Sequence, residues 1–366
     1  MKKLNSIVIT IILVVLASPL EASFLRHNLG EQKNFMNKQW SKNRNGFFEG
    51  WYHRLIDRKN KTSVVVITTA YNTRGVTKPG IKNGYVSIII KKEGKTPILH
   101  QKNFDEVYLS NSGDLGYELL IPNIGHVNNR ELDIRLEGTH VTSTWSKEDR
   151  IPWPATRVSG VTTPAGMAAR FKIFPTHWHV NDMGGKARYK IYSPKHALDI
   201  ESTATFHHEK NWGKVFPHYW YWLDVMDKEQ KVYISGAGGK IKLLGLNIPA
   251  FLLAIRTPVG VIRVSPLNKR SHYKIESNNC TQLKITGADK NLTFELSLRD
   301  EPKNFFNLLI PTDKGYIPGA LESMTARAAL KIWKRSILGK KTFLGSYDVD
   351  QSALEFGNEA YNCEAK

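Results

Sequence analysis

The sequence predicts an all-β chain whose length suits two antiparallel barrels or sandwiches. Three observations carry this. Apolar and polar residues alternate, as in Leu132, Ile134 and Leu136 around Asp133 and Arg135, and in Leu292, Phe294, Leu296 and Leu298 around Thr293, Glu295 and Ser297; a period of two places one face of a strand on a core. Dense β-branched runs, Ser63–Ala70 and Tyr85–Ile90, are separated by Gly, Asn, Asp and Pro, the residues that turns require. No repeat of 20–50 residues occurs, which argues against propellers and solenoids. With 366 residues, 41% hydrophobic and 23% charged, the chain has material for a large core, so neither a disordered chain nor a disulfide-stapled mini-protein fits.

Taken in order, the chain opens with Lys2-Lys3, an apolar run from Ile7 to Leu16 and small residues up to Ala22. This reads as a secretory signal cleaved after Ala22, since the run falls short of the roughly 20 apolar residues of a membrane span. Residues 23–45 form an extension, 46–195 a first domain and 196–366 a second, with the boundary at Ser193-Pro194. The best later apolar segment, Leu243 to Ile255, is interrupted by Gly245, Asn247 and Pro249, so no later span is expected. Ala326 to Ile337 is ambiguous, because its helix formers suit a helix as well as a strand.

Lys and Arg number 52 against 33 Asp and Glu, a formal charge of +19, which favours anionic partners. The cations are scattered pairs: Lys91-Lys92, Lys269-Arg270, Lys334-Arg335 and Lys340-Lys341. They read as a solvated basic surface that makes peripheral contact with an anionic membrane surface, and no nucleic-acid groove is expected. Cys280 and Cys363 could pair after export or remain thiols; two cysteines define no framework. The nucleophile elbow, the Walker loop and the dinucleotide fingerprint are absent, and Gly236-Ala237-Gly238-Gly239 has neither the glycine spacing nor the following helix, so serine hydrolase, NTPase and Rossmann oxidoreductase readings fall away.

Chemistry concentrates in three places. Between Glu209 and Asp224 lie Asn211, Trp212, Tyr219, Trp220, Tyr221 and Trp222; in a strand, Trp220, Trp222 and Asp224 share one face and would line an apolar pocket with one proton source. Phe47–Tyr52 embeds Glu49 among large rings, including Trp51 and Tyr52, and a buried Glu needs a role or a partner such as Arg54. His177 and His179 flank Trp178, and His207-His208 precede Glu209. No closed metal-ligand set can be assembled from them, so no metal is expected and the imidazoles read as hydrogen-bond partners for acids or substrate.

At these residues the chain resembles the tocopherol cyclase family, relatives of carotenoid hydratases and other lipocalin-like proteins. Phe47–Tyr52 is similar to the family's FFEGWY segment, Phe174–Gly185 to its F-P-x-x-x-H-W and GG stretch, and Glu209–Trp222 to its E-K-N-W-G block. Ala237-Gly238-Gly239 and Ala353–Gly357 resemble two more markers. The likeness runs through roughly residues 46–358. It implies two lipocalin-like antiparallel barrels, a strand over Ala326–Ile337, and closure of a chromanol ring without a redox cofactor. An acid would protonate a prenyl alkene of a hydrophobic prenylated quinol, and the phenol oxygen would trap the cation. By position in the family block Glu209 is the leading acid, followed by Asp224 and Glu49; His177 or His179 would orient acid or phenol, Trp51, Tyr52, Trp212, Trp220 and Trp222 would line the cavity, and Asn211 would position a hydroxyl. The chain departs from the family at Asp224-Val225-Met226, where Gln-Cys-Asn is usual, and at His179, where Gln is usual. A lipid carrier without turnover and a hydratase adding water to an isoprenoid alkene remain alternatives. Oligomeric state is left open.

Overall fold

Alternation is realised as two sheets that carry most of the described residues. The computed structural model describes residues 35–36 and most of 47–358, leaving aside 73–82, 113–115, 155–161, 167–168, 170–173, 244–245, 267, 269, 279, 313–314 and 337–338. The expected signal segment lies outside the described residues, as does the extension apart from Phe35 and Met36. The first sheet holds β1 (Phe47–Asp57), β2 (Thr62–Asn72), β3 (Asn83–Lys92), β4 (Ile98–Phe104), β5 (Tyr108–Ser112), β6 (Gly116–Ile121), β7 (Gly125–Asn128), β8 (Glu131–Leu136), β9 (Thr139–Trp145), β10 (Thr176–Ser193) and β11 (Leu198–Gly213). The second holds β12 (Tyr219–Asp227), β13 (Val232–Leu243), β14 (Leu246–Thr257), β15 (Gly260–Val264), β16 (Ser271–Asn278), β17 (Gln282–Asp289), β18 (Leu292–Arg299), β19 (Phe306–Thr312), β20 (Gly315–Arg335) and β21 (Lys341–Asn358). In each sheet an early strand pairs with a late one, β1 with β11 and β12 with β21, and every pairing is antiparallel. The expected all-β architecture of two curled, lipocalin-like antiparallel sheets is therefore present.

Ser193-Pro194, near which the sequence suggests a boundary, lies inside the first sheet. Ser193 pairs with Leu198 in the β10–β11 register, and between them a single 3₁₀ turn over Pro194–His196 closes on Ala197, left-handed at φ 50°. A Ser-Pro pair reads as a linker because proline breaks strands, yet here the fixed proline φ opens a tight hairpin within the first sheet. The chain changes sheets at residues 214–218 instead. Ala326–Arg335 is strand, with Ala326, Ala328, Leu330 and Ile332 buried and Arg327 and Lys331 exposed; a packed face overrides the helix propensity of these residues. Ile337 lies outside the described residues.

Period two makes three cores from two sheets. Odd positions of β1 (Trp51, Leu55) join Phe206, Tyr117 and Ile134 inside the first sheet's curl. Tyr221, Leu223 and Val225 of β12 join Phe294, Leu330 and Phe356 inside the second. The opposite faces meet in a third cluster, where Tyr52, Trp178 and Val180 pack against Trp220, Trp222, Leu308 and Ala353. At about 25 cal/mol per Å² of apolar area, burial on both faces explains why β1 is enclosed along its whole length, and it brings polar side chains into a dry layer between the sheets.

Candidate active site

Register delivers the acids to that layer. In the first sheet Tyr52 and Val180 flank Glu209; in the second Trp222 lies opposite Glu355, and Glu355 opposite Glu322. These two rows face each other. Glu209 Oε2 accepts from Trp222 Nε1 at 3.0 Å, and its Oε1 lies 3.4 Å from Asn211 Nδ2. Tyr52 donates a hydrogen bond to Glu322 Oε1, and Trp220 Nε1 donates to Glu355 Oε1. The Tyr52 and Trp222 rings meet edge to face at 4.9 Å, and His207 stands edge-on to both. The shared face expected for Trp220, Trp222 and Asp224 is thus present.

Beside this row a buried ionic chain crosses between the sheets. Arg54 Nη1 pairs with Asp224 Oδ2 at 2.8 Å, both side chains fully enclosed, and the guanidinium also donates to the carbonyls of Asp224, Met324 and Gln351. His207 bridges the carboxylates, its Nε2 2.9 Å from Glu209 Oε2 and its Nδ1 3.3 Å from Asp224 Oδ1, the second an ion-pair distance without hydrogen-bond alignment. Burial opposes a charge on His207, but Asp224 and Glu209 outweigh it and raise the imidazole above its ordinary range.

The charge balance then decides which acids keep protons. Arg54 and the His207 imidazolium match Asp224 and Glu209. Among the described residues Glu322 and Glu355 form no ion pair, and a buried carboxylate without one takes up a proton instead of staying charged. Burial, reinforced by Glu355, holds Glu322 well above the carboxylate range, and burial lifts Glu355 to about 7 despite its bond from Trp220. Burial, aided by Glu322, also keeps the Tyr52 phenol protonated. Glu322 Oε2 is buried with no hydrogen-bond partner among the described residues. Asp182, pushed up to about 6 by burial, accepts from the backbone of Ile151, Gly184 and Gly185 and shapes the β10 bulge nearby.

The remaining residues singled out in the sequence lie on the other face of the first sheet. Glu49 does not pair with Arg54, because five residues apart along a strand they point to opposite faces; it accepts from Lys210 Nζ at 2.5 Å. That ammonium lies 4.6 Å from the Trp51 ring and 5.5 Å from Trp212. His177 stacks on Trp212 at 5.1 Å, and His179 packs on Phe35. Burial, with Lys210 adding to it, lowers His179 to about 3. The structure therefore brings together Tyr52, Glu209, Asn211, Trp220, Trp222 and Asp224, and sets Glu49, Trp51, His177, His179 and Trp212 apart from them. Sequence reasoning missed Glu322, which sits in no motif, and gave no role to Glu355 within its Ala353–Gly357 marker.

Comparison with known proteins places the chain in a family. The tocopherol cyclase-like family model matches residues 114–358, about two thirds of the chain. The chain belongs to the tocopherol cyclase-like family. A curated relative, the probable chloroplastic tocopherol cyclase of Oryza sativa subsp. japonica, is 23% identical over 364 residues, covering 85% of this chain and 75% of the relative. Among solved structures, CghA with Sch210972 superposes with a TM-score of 0.55 at 7% identity, covering 85% of this chain and 88% of that one, and CghA alone gives 0.54; this likeness speaks for the fold. Membership of the tocopherol cyclase-like family supports an enzyme of cyclase type, and the acid row between the sheets is its candidate active site.

Proposed function

We propose that this tocopherol cyclase-like protein closes a chromanol-type ring on a prenylated hydroquinone held between its two sheets, with Glu322 as proton donor in place of the Glu209 expected from the family block. The observation that carries this is the adjacent, buried Glu322 and Glu355, which form no ion pair among the described residues and lie beside aromatic rings. Glu322 gives its proton to the prenyl alkene, a new C–H bond forms, and the tertiary cation lies against the faces of Trp222 and Tyr52. The phenol oxygen attacks the cation, forming the C–O bond, and its proton passes to Glu209. Asp224, held in place by Arg54, favours the charged form of His207 against Glu209, so Glu209 is fixed as an acceptor. Return of the proton from Glu209 to Glu322 completes an isomerisation with no net change in protons or electrons. Exclusion of water from the layer protects the cation from hydration.

Turnover of a panel of prenylated hydroquinones in deuterated buffer, read by mass spectrometry, tests this. A cyclised product carrying one deuteron is expected from the wild type. Glu322→Gln should lower turnover by at least about 10²-fold while quenching of the Trp222 region by bound quinol persists. Full activity of Glu322→Gln would sink the assignment, and Glu209→Gln and Asp224→Asn would then locate the donor. Hydrated product would favour a hydratase, and unchanged bound lipid a carrier.

A further inference from the structure

A second feature lies far along β20 and β21 from the acids. The tip of their long hairpin meets two turns of the second sheet: Arg335 N donates to Asn291 O at 2.7 Å, Lys290 N to Arg270 O at 3.3 Å, and Gly260 lies against Leu292. This gathers six exposed cations, Arg270, Lys290, Lys334, Arg335, Lys340 and Lys341, at one end of the sheet. Among the described residues the acid nearest to them in these turns, Asp289, is buried and spent on Arg263 N and Asn268 Nδ2. The ion pairs of the same hairpin, Arg327 with Asp348 and Asp350, lie further down the strands. Apolar groups stand among the cations. Phe343 is 56% exposed and Val261 42%, and Phe343 packs edge-on to Trp333, over which Lys341 is placed.

We propose that this end of the second sheet docks on an anionic lipid bilayer. Four to eight clustered cations at a membrane surface each gain from the negative headgroups, and exposed aromatic residues favour the interfacial zone, where an apolar ring and a polar surround coexist. A solvated basic face accounts for the lysines but leaves Phe343 and Val261 in water for no return; a polyanion such as nucleic acid gives the two apolar groups no partner. The hairpin tip carries no residue of the acid row, so docking and turnover are separable. The scattered Lys334-Arg335 and Lys340-Lys341 pairs of the sequence become one patch because antiparallel pairing places them side by side.

Flotation of the full chain with phosphatidylcholine vesicles, with and without about one third phosphatidylglycerol, tests the assignment. Binding is expected only to the anionic vesicles and should weaken with salt. Lys340→Glu with Lys341→Glu should lower partitioning at least about tenfold, and Phe343→Ser severalfold with the salt dependence unchanged. Lys186→Glu with Arg188→Glu, the same charge change on exposed positions of β10, should lower it less than about twofold. Equal losses from both double variants would reduce the effect to net charge and overturn the surface, as would binding to neutral vesicles alone or unchanged binding by every variant. Preference for a single-stranded oligonucleotide over anionic vesicles would also overturn it. Circular dichroism of each variant confirms that a loss is not unfolding.

Discussion

At the scale of residues, the division of labour between the paired glutamates can be read from pH. Burial, reinforced by Glu355, holds Glu322 well above the ordinary carboxylate range, whereas Glu355 titrates at about 7. When Glu355 ionises, its negative charge tightens Glu322's hold on the proton and weakens it as a donor, so kcat/KM should fall as pH rises through about 7. Glu355→Gln removes that charge: the variant should keep most of its activity at pH 6 and lose this alkaline limb. A limb that stays in place in Glu355→Gln assigns it to another group, of which His207 is the next to test. The residues carrying this chemistry were unequally legible. Trp222 and Asp224 share parity in a dense aromatic block that Glu209 opens, but Glu322 lies in Ala320-Leu321-Glu322-Ser323-Met324, an ordinary strand made special only by the strands beside it. Parity alone, applied to β1 and β11, would have separated Glu49, Trp51 and Trp212 from Tyr52, Glu209 and Asn211.

At the scale of elements, β12 and β21 act as a rigid frame for the acids. A Cβ at Gly357 would lie 1.9 Å from the Trp220 ring, and one at Gly239 1.7 Å from the Tyr219 carbonyl, so glycine lets the indole lie flat on its neighbours. Gly357→Ala should push Trp220 away and break its bond to Glu355; activity should drop and the alkaline limb shift, seen together in a pH–rate profile and in tryptophan emission, while an unchanged spectrum would show that the strand yields instead. Asp224 serves the frame differently. Removing one member of a buried pair strands the other charge, at a cost of about 3–5 kcal/mol, so Asp224→Asn should lower the urea midpoint markedly by leaving Arg54 and His207 without their carboxylate. Arg54→Met should cost a similar amount. Replacing both together with apolar residues should cost less than the sum of the single changes; additive losses would mean that the pair does not act as a unit. The sheet switch at 214–218 was illegible in sequence because Ser193-Pro194 carries the stronger local break signal, while the crossing has only one proline at Pro217.

At the scale of the whole molecule, buried titrating groups of both sheets set the pH range of stability. His53 and His179 are lowered to about 3, and His208 well below its ordinary value, by burial; each is neutral when folded and protonated when unfolded below about 6.5. In that range the unfolded chain binds more protons at these sites, so they make stability fall as pH falls. The acids act in the opposite sense. Asp182 at about 6, Glu355 at about 7 and Glu322, raised well above its ordinary value, stay protonated in the fold at pH values where the unfolded chain has released its protons, and their contribution falls as pH rises from about 4 through each folded pKa. Between about pH 4.5 and 6 three histidines oppose three acids and the slopes cancel, giving a plateau. Below about 4 the unfolded acids are also protonated and the histidines act unopposed, so stability should drop steeply. Above about 6.5 the unfolded histidines are neutral, while Glu322, Glu355 and the raised His207 keep protons that the unfolded chain has lost, and stability should decline again. Urea midpoints measured from pH 3 to 9 should trace this flat-topped curve, and Glu322→Gln should shallow its alkaline side and tilt the plateau so that stability rises with pH across it, three histidines then opposing two acids. A midpoint that climbs from pH 6 to 9 would show that Glu322 and Glu355 are ionised in the fold, and would remove the proton on which the proposed cyclisation depends.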